Sequence, residues 1–351
     1  MKRLCWSIVS ALVFCLAAVS ASAQTVTGSV RGTITDPSGA IISGATVTAT
    51  NTATGVNTTA TTNGAGEYSI RFLQIGQYKL SVDANGFSKA VYGPFALEID
   101  QDAKVDIKLK VGSNSVSVEV SDQFQPILDT ENATLGETFT ENTIHNVPLN
   151  GLDFSQLTVY TPGAVATGFN SYGSMNSTER GTNAGNEVSV NGNRQQSNNY
   201  LLDGQEINEN INNTLGYNPS TEALDQVRVI GSNPNAEFGN VNGGTVIAAM
   251  KSGTNQWHGS VFGYLKNYNL DANSWSNDNN IIPIAKNPYT QTQFGGTFGG
   301  PIIKDKLFFF VDYLGFRYHI GGQTSFSVAT AAMRTGDFSN LYNLKVPIQL
   351  Y

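Results

Sequence analysis

The chain has 351 residues, 40% of them hydrophobic, 13% charged and 10% aromatic, with 36 glycines and a formal net charge of −7. Charged residues are scarce beside the ~25% of an average protein, and acidic residues outnumber basic ones 27 to 20, which opposes nucleic acid as a partner because phosphate binding needs a basic surface. Plentiful Gly, Asn, Thr and Ser favour strands and polar turns over amphipathic helices, and the length suits two or three domains.

Residues 1–23 read as a secretion signal. Lys2 and Arg3 give a positive start, an apolar run extends from Leu4 to Val19, and Ala21-Ser22-Ala23 offers small residues for cleavage before Gln24. The run lacks the ~20 apolar residues and charged stop of a membrane anchor, and Phe14 before Cys15 does not fit a lipoprotein signal. Both cysteines, Cys5 and Cys15, fall in this removable segment, so the mature chain forms no disulfide and no thiolate metal site. Taking Lys2 and Arg3 from the 20 basic residues leaves 18 against 27 acidic, a charge of about −9. No later stretch has the length of a transmembrane helix, so any passage through a membrane requires strands of a closed barrel.

From Thr27 to about Val111 short alternating strands are punctuated by turn residues. Ser29 to Thr35 ends at the turn Asp36-Pro37-Ser38-Gly39, and Ala45–Thr50, Val56–Thr62, Glu67–Phe72 and Gln77–Val82 follow. A last strand, Ala103–Val111, sets Val105, Ile107 and Leu109 on one face. This spacing predicts a sandwich of about 80 residues. The string Gly32, Asp36, Gly39, Gly44-Ala45-Thr46-Val47, Gly64, Gly66-Glu67-Tyr68, Leu73, Gly76-Gln77-Tyr78 and Gly86-Phe87 closely resembles the carboxypeptidase regulatory-like domain. The resemblance implies a transthyretin-like β-sandwich over 24–111 that performs no hydrolysis and acts either as a spacer or in binding carbohydrate or a partner.

Residues 112–128 form a linker containing the β-prone Ser115–Ser121 ahead of Gln125-Pro126. In TonB-dependent receptors with such a sandwich, a Val-rich segment at this place pairs by strand addition with the energy-coupling protein TonB. The candidate contact is Val116, Ser117, Val118, Glu119 and Val120; the other reading makes these residues the sandwich's last strand. Residues 129–251 resemble the receptor plug domain. Thr143–Phe154 matches its opening helix and loop, Pro162-Gly163-Ala164 follows, and Val188–Arg194 leads to Asn199-Tyr200-Leu201-Leu202 before the tight turn Asp203-Gly204. Glu222–Ile230 reads as a short helix entering a strand, and Gly243–Ile247 leads into Lys251-Ser252-Gly253-Thr254-Asn255. The polar stretch Asn191–Asn213 suits a stopper facing water and polar walls, and its interruption by apolar residues such as Leu201 and Leu202 argues against a disordered linker.

Residues 252–351 read as the first strands of a barrel. Trp257–Leu265 is close to the ~9–11 residues of a tilted membrane strand. In Gln293–Gly300, Phe294 and Phe298 lie opposite Gln293 and Thr297, the lipid-out, lumen-in alternation of such barrels. Pro301–Lys306 reads as a turn into Leu307–Tyr313, and Phe294–Tyr313 resembles the Oar-like barrel signature. Phe316, Tyr318 and Ile320 continue one face, but Asp312 shares their phase, which calls for a bulge or a lumen-facing shift. Glycine-rich Gly295–Gly300 lacks the Lys-Ser/Thr ending of a phosphate loop.

Catalytic patterns are missing. His145, His258 and His319 are far apart, and neither His-Glu-x-x-His nor Gly-x-Ser-x-Gly occurs. Asp100, Asp102 and Asp106 lack the glycine and closing Glu of an EF-hand. The expected fold is therefore mainly β: a transthyretin-like sandwich, an α+β plug and the start of a transmembrane antiparallel barrel, without enzyme activity, cofactor or metal. The resemblance implies the front end of an Oar-like TonB-dependent receptor in a Gram-negative outer membrane, with the sandwich in the periplasm. Its partners would be TonB, outer-membrane lipid and a substrate such as an oligosaccharide or peptide, taken up or exported. The three or four strands present fall short of the ~22 of a plugged transporter, so the chain is expected to be an N-terminal fragment. The alternative is a secreted or surface carbohydrate-binding or adhesion protein built of β-modules.

Overall fold

The computed structural model describes residues 26–112, 118–120, 134–166, 188–210, 213–238, 241–281, 283–321 and 329–338. They fall into a larger unit, running to Phe262 and including Phe294–Leu314, and a smaller one formed by Gly263–Gln293 and residues from Gly315 onward.

In the larger unit, eight strands make a sandwich: β1 (Thr27–Thr35), β2 (Thr46–Asn51), β3 (Asn57–Thr61), β4 (Glu67–Gln74), β5 (Gly76–Asp83), β6 (Ala90–Leu97), β7 (Asp102–Lys104) and β8 (Ile107–Lys108). One sheet has the order β4-β1-β7, with β8 also on β1; the other has the order β3-β2-β5-β6, extended by β9 (Val118–Val120). Alternate residues of β1, β2 and β5 point inward, so Val30, Ile34, Val47, Leu80 and Val82 are fully buried between the sheets. Burying each such side chain stabilises the fold by about 1.5–3 kcal/mol.

Two details differ from the sequence reading. β6 was not foreseen, because Gly93-Pro94 interrupts its pattern and proline offers no N–H to a ladder; its pairing with β5 shifts register between Tyr78 and Leu80. The run Ala103–Val111 is two short strands rather than one. The Asp106 carboxylate accepts from Thr33 N–H (2.8 Å) where a backbone carbonyl would otherwise serve, while Val105, Ile107 and Leu109 stay buried as their spacing predicts.

The following segment holds β10 (Leu135–Thr140), α1 (Glu141–Asn146), short 3-10 turns at Asn150–Leu152 and Phe154–Tyr160, β11 (Ala164–Ala166), β12 (Val188–Val190), β13 (Asn199–Leu202), β14 (Gln205–Glu206), β15 (Leu224–Ser232) and β16 (Thr245–Met250). Five strands form one sheet in the order β10-β15-β16-β13-β14, and β11 pairs with β12. The helix expected before β15 is a single 3-10 turn, Thr221–Ala223. The central strands β15 and β16 are buried on both faces. On one side Val227, Val229, Val246 and Ala248 pack with Phe139, Ile144, Phe154 and Leu157. On the other, Leu201, Ile230, Ile247 and Ala249 meet Ile99, Ile75 and Val26 from one end of the sandwich. Ile99 N–H donates to Gln226 Oε1 (3.2 Å) and Asn235 Nδ2 donates to Asp100 Oδ1 (2.6 Å) across the same contact.

The last sheet has the order β17-β18-β19, formed by β17 (His258–Asn267), β18 (Tyr289–Ile303) and β19 (Leu307–Ile320). Its two faces differ. One carries Ser260 and Thr297, whose hydroxyls lie 3.0 Å apart. The other exposes Val261, at 95% of its surface, with Phe298, Ile302, Val311 and Tyr313. Asp312 needs no bulge: Val311 and Tyr313 on either side of it are exposed, Asp312 is half-buried, and Phe310 of the same phase stacks on His258. The even-numbered residues of β19 thus share the polar side. β18 runs on to Ile303, so Pro301 lies within the strand and the turn is only Lys304–Lys306.

In the smaller unit, Lys286 Nζ donates to the carbonyls of Tyr268 (2.7 Å) and Asp271 (2.6 Å) and sits over the Tyr268 ring, closing the loop after β17. That loop carries α2 (Trp275–Asp278), with Trp275 exposed. Lys266 lies over the Tyr289 ring, which also packs against Tyr318. Farther on is α3 (Ala331–Arg334).

Candidate functional site

Within the larger unit, a cavity of about 560 Å³ opens where the sandwich, the middle segment and the first strands of the last sheet converge. The sandwich contributes Asn51, Ala53, Thr54 and the Gln74–Gln77 bend. α1 contributes Glu141 and His145, four residues apart and therefore on one helix face. Ser220 caps the turn Thr221–Ala223 through Glu222 N–H (3.3 Å), which presents Glu222 to the cavity. Glu222 lies 3.4 Å from His145 Nε2 and accepts from Ser260 Oγ at 3.5 Å, joining the middle segment to the polar side of β17. Lys251, at the end of β16, reaches Glu141 at 2.7 Å, and its N–H donates to Ala223 O (2.8 Å). Burial, reinforced by the charge of Glu141, raises the Asp225 carboxyl above its ordinary value, against the pull of Lys251. These groups make a polar seam with both signs of charge. Among the described residues no three His, Cys, Asp or Glu side chains converge with metal-holding geometry.

Of the candidate TonB-contact residues, Val118, Glu119 and Val120 form β9, parallel to β6 with Ala90 opposite Val118 and Tyr92 opposite Val120. Val116 and Ser117 lie outside the described residues. Asp203-Gly204 makes the tight turn between β13 and β14, with φ of 48° and 81°. Two successive positive φ angles are what a two-residue hairpin of this kind requires. The Asp203 carboxylate also accepts from Met250 N–H (2.9 Å), fastening the hairpin to β16, while burial raises its pKa. The seam residues Glu222, His145 and Ser260 were not singled out from the sequence. They lie 38 to 115 residues apart along the chain, and no local pattern links them.

Residues 29–110 match the family described as carboxypeptidase regulatory-like domain, and residues 249–349 match the outer membrane beta barrel domain. Over 270 residues, 76% of this chain, the sequence is 27% identical to the TonB-dependent transporter Oar of Myxococcus xanthus. The chain spans about a quarter (24%) of the length of that relative. Among solved structures, similarity extends to the outer membrane transporter YddB of Escherichia coli, at 17% identity over 53% of this chain and 26% of that one, with a TM-score of 0.40. The siderophore receptor PirA of Acinetobacter baumannii is 21% identical over 51% of this chain and 24% of that one, with a TM-score of 0.33.

Proposed function

We propose that this chain is the N-terminal part of an Oar-like TonB-dependent receptor of the outer membrane, and that its three modules form the periplasmic end and the first wall of an energy-coupled transporter. In this reading 24–111 is a periplasmic sandwich, 112–128 a linker, 129–251 the plug and 252–351 the first part of the barrel wall. The observation that carries it is the seating of the plug on the polar side of the wall: Glu222 accepts from Ser260 Oγ, while the opposite side exposes Val261, Phe298, Val311 and Tyr313. Lipid can solvate that apolar side, and a plug can cover the polar one. A secreted adhesin has no use for such a division.

TonB would engage Val116–Val120 by strand addition and, drawing on the proton gradient of the inner membrane, displace the plug to open a path along the seam. The substrate is an oligosaccharide or a peptide, moved inward or outward. Because β9 already pairs with β6, TonB would have to take this strand from the sandwich. The test is Val118→Pro in the complete receptor. A proline removes an N–H from any ladder the segment enters, and we expect energy-dependent uptake to be abolished with normal amounts of receptor in the outer membrane. Uptake at the parent's rate would assign Val118 to the sandwich alone.

A further inference from the structure

Asn255 ties three segments together. Its backbone N–H donates to Ala53 O (2.9 Å), and its side-chain Nδ2 donates to Thr54 O (2.8 Å) and to Asp305 Oδ1 (2.7 Å). Its Oδ1 accepts from Asp305 N–H (2.9 Å). Ala53 and Thr54 belong to the β2–β3 turn of the sandwich, Asp305 to the β18–β19 turn, and Asn255 to the crossover between β16 and β17. Gly55 permits this approach: its φ is +73°, and a Cβ placed there would lie 3.2 Å from Asp305 Cγ and closer still to Oδ1.

This joint differs in kind from the one between sandwich and plug. The clasp consists of four hydrogen bonds, of which the two to Asp305 are exposed while that to the buried Thr54 is half-buried, and such bonds net only about 0.5–1.5 kcal/mol each, or ~1.5–3 kcal/mol to a carboxylate. The other joint buries Ile99 against Ile230, Ile247 and Ala249, and apolar burial is not offset by competing water. The turn held by Asn255 is also the part of the sandwich, Asn51 to Thr54, that borders the cavity at the seam.

We propose that the Asn255 clasp is a releasable latch: it holds the sandwich turn against the barrel rim beside the seam at rest, and opens before the sandwich–plug joint does. The sandwich then leaves the rim together with the plug. The consequence for transport rests on the receptor reading; the unequal strength of the two joints does not.

Both parts are testable in the complete receptor in outer membranes. By hydrogen exchange, the Asn255 amide is expected to exchange on the order of 100-fold faster than the Ile99 amide, as local opening demands. Equal protection would overturn the latch. A Cβ on Gly55 would meet the Asp305 side chain, which brings two engineered thiols within reach of each other, and Cys5 and Cys15, the cysteines of this sequence, lie in the segment read as a signal. Gly55→Cys combined with Asp305→Cys should cross-link on mild oxidation, lose uptake, and regain it on reduction, with each single variant, which cannot cross-link, showing no change in uptake on oxidation. A cross-linked receptor that transports at the parent's rate, or two accessible thiols that fail to cross-link, would overturn the proposal. If the parent itself moves no substrate in either direction in an energy-dependent way, the transport reading fails, and the exchange contrast still decides the latch.

Discussion

Asparagines in the middle segment stand in for strand partners that the short β13 and β12 lack. Asn198, fully buried, donates to Val188 O (2.8 Å) and accepts from Gly244 N–H (2.9 Å), while Asn208 accepts from Tyr200 N–H (2.7 Å) and donates to Asn198 O (3.0 Å). Asn198→Ala strands a buried donor and acceptor, and should cost about 2–6 kcal/mol at ~1–3 kcal/mol for each unmet group, read from the urea midpoint. Gly32 has a different role: a Cβ there would overlap Val105 O. Gly32→Ala should therefore push β7 and β8 off β1 and lower the sandwich's melting temperature by several degrees, as ~1–3 kcal/mol of overpacking implies. Asp225 gives a pH signature. A carboxyl raised in the folded state stabilises the fold fully below its ordinary value of 3.8, and that stabilisation is lost as pH rises through the elevated value. Asp225→Asn is expected to be more stable than the parent at neutral pH, with the gap closing below 3.8; a constant gap across a pH series of denaturation midpoints would refute the sign. The Asn-rich composition made a polar packed segment legible in the sequence. Which asparagine sits at the centre was not legible, because Asn198 and Asn193 look alike until the strands around them are placed.

The barrel strands were the most legible elements, since a period of two with apolar residues on one phase has few other causes. What the sequence left ambiguous in β19 was which phase is the exposed one, because Phe308, Phe310 and Phe316 make the side of Ser260 and Thr297 aromatic as well. The exposure of Val311 and Tyr313 resolves it. Val311→Arg on the outward side, two residues from Phe309, should cost less than the ~2–4 kcal/mol of a midplane site and still lower the amount of receptor recovered in the outer membrane, whereas Val311→Leu should leave it unchanged. Equal recovery of the two variants would mean that this side does not meet lipid. β6 and β9 were less legible for opposite reasons: β6 hides behind Gly93-Pro94, and β9 is too short to signal a partner. Trp257, Phe298 and Phe309 cluster with ring centroids 5.4 to 5.8 Å apart on the outward side next to the β18–β19 turn, where an aromatic belt would mark the membrane boundary.

At the scale of the whole molecule, the sandwich and the barrel segment were readable from motifs in chain order, but the contacts that join them to the segment between were not. Gln226 and Ile99 are 127 residues apart, and Asn255 appeared only as the tail of a plug motif. Joints between modules depend on one or two side chains at turn tips, where no periodicity marks them. The burial of β15 and β16 on both faces has a consequence for how the chain matures. The sandwich comes first in the chain and assembles from contacts among its own strands, so it is already in place when the sheet of β15 and β16 arrives with Ile230, Ile247 and Ala249 uncovered. It can thus serve as a built-in chaperone, and a chain deleted for residues 26–112 should reach the periplasm yet accumulate there as aggregate or as chaperone-bound precursor.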